Sequence, residues 1–177
     1  RLRTMFNKMG LLSAGCLLLL GACSTTRTAV KPGVVTEYIV VRHAEKSTDD
    51  ARDPSLSDAG AMRAQSLARL LADTPVTAIY ATSYKRTQQT ARPTAAARSL
   101  AITTYDAKLP AATFVAQLRA AHAEGTVLVV GHSNTVPEIV SALSGQPVGE
   151  MPDTAFDRLY RVTVDSSGVV TLVEARY

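Results

Sequence analysis

The chain has 177 residues, with 19 Lys or Arg against 15 Asp or Glu (formal net charge +4), 46% hydrophobic and 19% charged residues, and two cysteines. That length and composition suit one globular domain with a full core, and they exclude a disordered chain and a disulfide scaffold. Without Arg1, Arg3 and Lys8 the balance falls to 16 basic against 15 acidic residues, so no concentrated basic face supports nucleic-acid binding.

Those three residues precede an uncharged stretch from Met9 to Cys23 centred on Leu17-Leu18-Leu19-Leu20, the basic-then-apolar order of a secretory signal. The run is short for a membrane-spanning helix, which needs about 20 apolar residues. It ends in Leu20-Gly21-Ala22-Cys23, which resembles a bacterial lipobox. The resemblance implies a signal peptide over 1–22, lipidation of Cys23 in preference to Cys16, and a membrane anchor in the cell envelope. With Ser24 next, a Gram-negative host would place the protein on the outer membrane facing the periplasm. Processing at Cys23 also removes Cys16, which leaves no cysteine pair for a disulfide or a thiolate zinc site. Residues 23–35, with Ser24-Thr25-Thr26 and Lys31-Pro32-Gly33, read as the lipidated cysteine and a flexible tether. The domain proper is 36–177.

Within it, Tyr38-Ile39-Val40-Val41 predicts a strand buried on both faces of a parallel sheet. A polar loop, Ser47 to Ser55, leads to a helix whose Ala64, Leu67, Ala68 and Leu71 share one face, with Ser57 and Asp58 placed to cap it. Val76 to Ala81 is a second strand. The next helix starts near Thr82-Ser83 and runs through Arg86, Thr87 and Thr90, with Pro93 expected to kink it. A third strand, Leu100 to Tyr105, precedes an amphipathic helix marked by Phe114, Leu118 and Ala121. The fourth strand, Thr126 to Val130, leads through His132 into a helix from Val136 to Leu143 ended by Gly145. Arg158 to Asp165 and Val169 to Ala175 close the chain as a hairpin turning at Ser166-Ser167-Gly168. This order implies an α/β fold: a three-layer α/β/α sandwich with a mostly parallel sheet.

Two of the apolar runs break off at a histidine, in Arg42-His43-Ala44-Glu45-Lys46 and in Gly131-His132-Ser133-Asn134. Ligands in open α/β sheets bind beyond the carboxyl ends of such strands, so both histidines line one crevice. Arg86 joins them at the start of a helix, and neither Arg42 nor Arg86 has an evident core role. A metal site is disfavoured, because flanking arginines repel a cation and no carboxylate–histidine spacing stands out. His122, at the edge of the Phe114/Leu118 helix, reads as a surface or interface histidine.

Arg42-His43-Ala44, Leu56-Ser57-Asp58-Ala59-Gly60, the segment Tyr80 to Ala91 around Arg86, and Gly131-His132-Ser133 together resemble the histidine phosphatase superfamily, the phosphoglycerate mutase-like fold. The resemblance spans Thr36 to about Ser144. It implies hydrolysis of a small phosphorylated substrate through a phosphohistidine on His43, with Arg42, Arg86 and His132 holding the phosphate and with no cofactor or metal. Glu45, Lys46 and Asn134 are candidate substrate contacts. Two arginines beside His43 oppose its protonation and keep it nucleophilic, whereas bound phosphate favours charged His132. The glycine usual after the nucleophile is Ala44 here, which fits if its φ is negative. Asp106 is the favoured general acid, with Glu45 and Asp153 as alternatives. The connection between Arg86 and the fourth strand holds no long insertion of the kind mutases carry, which points to a phosphatase. A protein phosphohistidine phosphatase and a catalytically weak phosphate- or phosphosugar-binding lipoprotein are the competing readings.

Overall fold

Strands and helices alternate as β1 (Thr36–Arg42), α1 (Asp58–Leu70), β2 (Val76–Thr82), α2 (Lys85–Arg98), β3 (Ile102–Tyr105), α3 (Ala111–Ala121), β4 (Gly125–Gly131), α4 (Thr135–Ser144), β5 (Arg158–Val164) and β6 (Val170–Arg176). The structure is a computed structural model that describes Gly33 and residues 35–177. The signal segment, Cys23 and nearly all of the tether lie outside the described residues. No described helix is long and apolar enough to cross a membrane.

The sheet order is β3-β2-β4-β1-β5-β6. β3, β2, β4 and β1 are parallel, while β5 runs antiparallel to β1 and to β6. Side chains alternate across the central strands and divide the core in two. Ile39, Val41, Leu128 and Val130 face Leu67, Leu71, Ala91 and Ala95 on the side of α1 and α2. Tyr38, Val40, Val127 and Val129 face Phe114 and Leu118 of α3 and Ile139 and Leu143 of α4. A strand covered on both faces has no solvent side to alternate with, which is why these runs are continuously apolar. The expected three-layer sandwich is the observed one.

Ser57 caps α1 by accepting from the Gly60 N–H at 3.1 Å, as expected. One expectation for α2 fails. The helix begins at Lys85 because β2 continues through Thr82, and Pro93 does not interrupt it. A proline removes one backbone donor, but the helix continues through it to Arg98, with the flanking Ala91, Thr94 and Ala95 all buried. Gly145 ends α4 in the left-handed region, at φ 70°.

The Leu56 to Gly60 segment matters because α1 starts directly on the backbone that follows His43. The Glu45 carbonyl accepts from Ser57 N–H at 2.9 Å, and a Cβ added at Gly60 would lie 2.1 Å from that same oxygen. Gly60→Ala therefore sets a helix-propensity gain of about 1 kcal/mol against a backbone clash, and the clash dominates. Destabilisation of about 1–3 kcal/mol is expected, read as a lower urea midpoint. An unchanged midpoint would show that α1 is not seated on Glu45.

Candidate active site

β1 and β4 pair in register with Arg42 opposite Gly131, and the His43 N–H donates to the Gly131 carbonyl at 2.9 Å. Each histidine follows its strand by one residue, so the two emerge side by side, ring centroids 5.4 Å apart and edge to face. Gly131 is a glycine for want of room: an added Cβ would meet Thr135 Oγ1 at 3.0 Å and the Tyr105 hydroxyl at 3.1 Å. Arg86 enters from the first turn of α2, after β2 on the other side of β4. Arg42, His43, Arg86 and His132 line one cavity of about 370 Å³, to which Lys46, Lys108, Asn134 and Asp153 also contribute.

His43 is 4% exposed. Its Nδ1–H donates to the Ala44 carbonyl at 2.8 Å, which leaves the lone pair on Nε2. The Ala44 N–H in turn donates to Thr90 Oγ1 at 2.9 Å, and that hydroxyl donates to the Arg86 carbonyl at 2.7 Å. Thr90 thus ties the loop after His43 to α2. Among the described residues Ser99 is the one non-glycine with positive φ, so Ala44 adopts ordinary backbone and is fully buried; the expectation that alanine suffices here holds.

Burial pushes the His43 pKa down to about 3; the Ala44 carbonyl opposes this, and the positive charge of His132, Arg42 and Arg86 adds to it. His132 is lowered to about 4 by burial first, then by Arg86 and Arg42. The arginines act in the expected direction, but desolvation is the larger cause. Both rings are neutral at neutral pH. His132 has Nδ1 3.4 Å from Arg86 Nη2 and Nε2 3.0 Å from Thr82 Oγ1.

The arginines are held differently. Arg86 lies over the Tyr84 ring at 4.4 Å and 3.9 Å from the Asp53 carboxylate, which also accepts the Lys85 N–H and so pins the 47–55 loop to the start of α2. Arg42 has the structural role that the sequence did not reveal. Its Nη1 donates to the carbonyls of Pro152, Asp153 and Ala155 at 3.1, 2.9 and 3.2 Å, and its guanidinium covers Phe156 at 4.2 Å. Its Nε is buried without a partner.

Among the acid candidates, the structure does not bring Asp106 or Glu45 to the cavity. Asp106 Oδ1 accepts the Lys108 N–H at 2.9 Å in the turn after β3. Glu45 faces Arg63 of α1, both carboxylate oxygens accepting from Nε at 2.9 Å, because neighbouring side chains diverge and Lys46 takes the pocket side. Asp153 is the carboxylate that lines the cavity, nearly fully exposed and 3.8 Å from Arg42 Nη2. Lys46 and Asn134 line it as expected. His122 bonds the Tyr80 hydroxyl at 2.9 Å, away from the site. Thr82, Tyr84, Lys108 and Phe156 went unread in the sequence; Thr82 carried a signal, as the last residue of a strand beside β4, whereas Phe156 depends on a loop folding back over Arg42. Among the described residues no group of three or more His, Cys, Asp or Glu side chains gathers to hold a metal ion.

Two buried neutral histidines couple the fold to pH. An unfolded histidine takes a proton near pH 6.5, while these two resist to about 3 and 4. Between those limits the unfolded chain binds more protons, so stability falls as pH drops below about 6.5. His43→Gln should flatten the loss, read as urea midpoints between pH 7 and pH 4.5. An equally steep loss in the variant would contradict the assignment.

The family model of the histidine phosphatase superfamily (branch 1) matches residues 38–109, the stretch holding Arg42, His43 and Arg86. No curated protein matches the chain significantly. Among solved structures, the protein histidine phosphatase SixA complexed with tungstate aligns with TM-score 0.63 at 21% identity, covering 79% of this chain and 96% of that one. Mycobacterial glucosyl-3-phosphoglycerate phosphatase aligns with TM-score 0.61 at 16% identity, over 81% and 98%. Mycobacterial hydrolase 1 aligns with TM-score 0.63 at 14% identity, over 81% and 100%. At these identities the likeness carries the fold alone. Over residues 38–109 the chain thus carries the motifs of the histidine phosphatase superfamily (branch 1), and its fold is that of the solved phosphatases.

Proposed function

We propose that the protein is a phosphatase that hydrolyses phosphomonoesters through a phosphohistidine on His43. The observation that carries this reading is the His43 ring itself: neutral, with Nδ1–H bound to the Ala44 carbonyl and the Nε2 lone pair left for attack, between two arginines in one cavity. Nε2 attacks phosphorus and the P–O bond to the alcohol breaks, its electron pair leaving on the alkoxide, which takes a proton. Water then attacks phosphorus, the P–N bond breaks, and phosphate departs with His43 regenerated. Arg42 and Arg86 stabilise charge on the non-bridging oxygens, and the N-terminal end of α4, with Asn134 and Thr135 on the cavity wall, adds its dipole.

Asp153 takes the place of Asp106 as the proposed proton donor to the leaving group, since it is the carboxylate on the cavity wall. The alcohol portion extends into an adjoining groove of about 650 Å³ that shares Ser133 and Asn134 with the phosphate cavity and is lined further by Glu138, Val148, Glu150 and Met151. That second space supports an organic ester over inorganic phosphate alone. SixA, a protein histidine phosphatase by name, supports a second reading in which the phosphoryl donor is a phosphohistidine. A single exposed carboxylate suits an imidazole leaving group, which departs with less help from an acid than an alkoxide does.

With p-nitrophenyl phosphate, His43→Ala should abolish turnover. Arg86→Ala should lower kcat/KM by on the order of 100-fold, with weaker inhibition by inorganic phosphate, since that charge serves substrate and transition state alike. EDTA should leave the rate unchanged. Absence of hydrolysis from mildly acidic to neutral pH, together with tight phosphate binding, would replace the enzyme with the phosphate-binding reading; metal-dependent recovery after EDTA would overturn the mechanism. Relative rates on alkyl phosphates and phosphohistidine decide between the two donors.

We also propose lipid anchoring at Cys23 in the cell envelope, supported by Leu20-Gly21-Ala22-Cys23 after a basic and apolar leader. Cys23→Ser should block lipidation and leave an unprocessed precursor. Labelled fatty acid still entering that variant would remove the proposal.

A further inference from the structure

His132 is set by a chain of hydrogen bonds that runs away from the cavity. Thr82 and Thr87 are fully buried. Thr82 Oγ1 lies 3.0 Å from His132 Nε2 and 2.8 Å from Thr87 Oγ1. Thr87 Oγ1 in turn lies 2.8 Å from the Tyr84 carbonyl and 3.0 Å from the Thr82 carbonyl. With water excluded, the direction of each bond is constrained from both ends. At the outer end, carbonyls only accept, so the Thr87 hydroxyl donates to them and can only accept from Thr82. Thr82 has then spent its one proton and can only accept from His132, which places the ring proton on Nε2. At the inner end, Arg86 Nη2 faces His132 Nδ1 at 3.4 Å; a guanidinium has no acceptor, so Nδ1 must carry the lone pair. The reverse direction would set an Nδ1–H against the guanidinium hydrogens.

We propose that the Thr82 and Thr87 hydroxyls form a relay that fixes His132 as its Nε2–H tautomer, so that Nδ1 meets the phosphate group as a proton acceptor. Thr82 and Thr87 are positioning residues. The tautomer stands on the geometry alone, while the encounter with phosphate rests on the phosphatase reading. A phosphate oxygen without a proton would meet the lone pair of Nδ1 and be repelled. A phosphate that carries a proton, or takes one up on binding, instead shares it with Nδ1. The charged and titratable groups around that atom are Arg86 and Tyr84 at the start of α2 and Arg42 and His43 at the end of β1. Lys46, Lys108 and the exposed Asp153 share the cavity wall with the ring, and Asp53 lies 3.9 Å from Arg86 Nη1. The second ionisation of a phosphate monoester lies near pH 6, so above that pH binding takes up a proton, and affinity falls as pH rises.

The test is nitrogen NMR of the protein labelled in histidine, with the His132 signals assigned by their loss in His132→Asn. The expected spectrum shows Nε2 protonated and Nδ1 bare, with inorganic phosphate moving a proton onto Nδ1. Thr82→Val, which keeps shape and removes the hydroxyl, should mix the tautomers and raise the inhibition constant for inorganic phosphate about tenfold. It should also weaken the pH dependence of that constant. Thr82→Ser should restore both, and Thr87→Val should act in the same direction more weakly. A wild-type ring protonated on Nδ1 would overturn the proposal, whether or not the variants fold. So would a Thr82→Val protein with unchanged tautomer and unchanged phosphate affinity. The Nε2–H tautomer in a protein that hydrolyses no phosphate ester would support the relay and overturn the phosphatase reading.

Discussion

The site depends on the in-register pairing of β1 with β4. Because Arg42 lies opposite Gly131 and the His43 N–H closes onto the Gly131 carbonyl, two strands distant in sequence deliver their histidines to one point with no loop to adjust. A slip of one residue in that register would send one ring into a helix layer instead of the cavity. The apolar runs that enforce the register are also the core: Ile39, Val40, Val41, Leu128, Val129 and Val130 are fully buried. The same side chains therefore set both stability and the geometry of the chemistry.

That geometry concentrates positive charge. Arg42, Arg86, Lys46 and Lys108 share a cavity whose one carboxylate is the exposed Asp153. Such a cluster stays assembled because each arginine is braced: backbone carbonyls and Phe156 hold Arg42, with Asp153 3.8 Å away, and Tyr84 and the Asp53 carboxylate at 3.9 Å hold Arg86. The bracing fixes the guanidinium groups, and with Lys46 and Lys108 four cations face the cavity against one carboxylate on its wall, which is what an anion site requires. The histidines stay neutral between them, since burial and like charge act in the same direction on both rings.

Much of the fold was legible because the signals were periodic or punctuated. Continuous β-branched runs marked the parallel strands, Ser57 marked a cap, and Gly145 marked a helix end. The four segments around His43, Gly60, Arg86 and His132 were legible as a site because each sits at a strand end or helix start. The misreadings have a common origin in tertiary context. Glu45, two residues after His43, is drawn off by Arg63 on α1. Asp106 follows a strand of the same sheet, yet its carboxylate closes a turn. Arg42's grip on 152–156 and the place of Phe156 arise from a loop about 110 residues away along the chain, and no local pattern announces such a contact.

The proposed chemistry turns on Nε2 of His43 taking the phosphoryl group. Rapid acid-free quenching during turnover of a phosphate ester, followed by phosphorus NMR and peptide mapping, reads both the residue and the ring nitrogen. The expected product is a phosphoramidate on His43 at Nε2, since Nδ1 is occupied by the Ala44 carbonyl. Phosphate found on His132, on the other ring nitrogen, or on no histidine while turnover proceeds would contradict it.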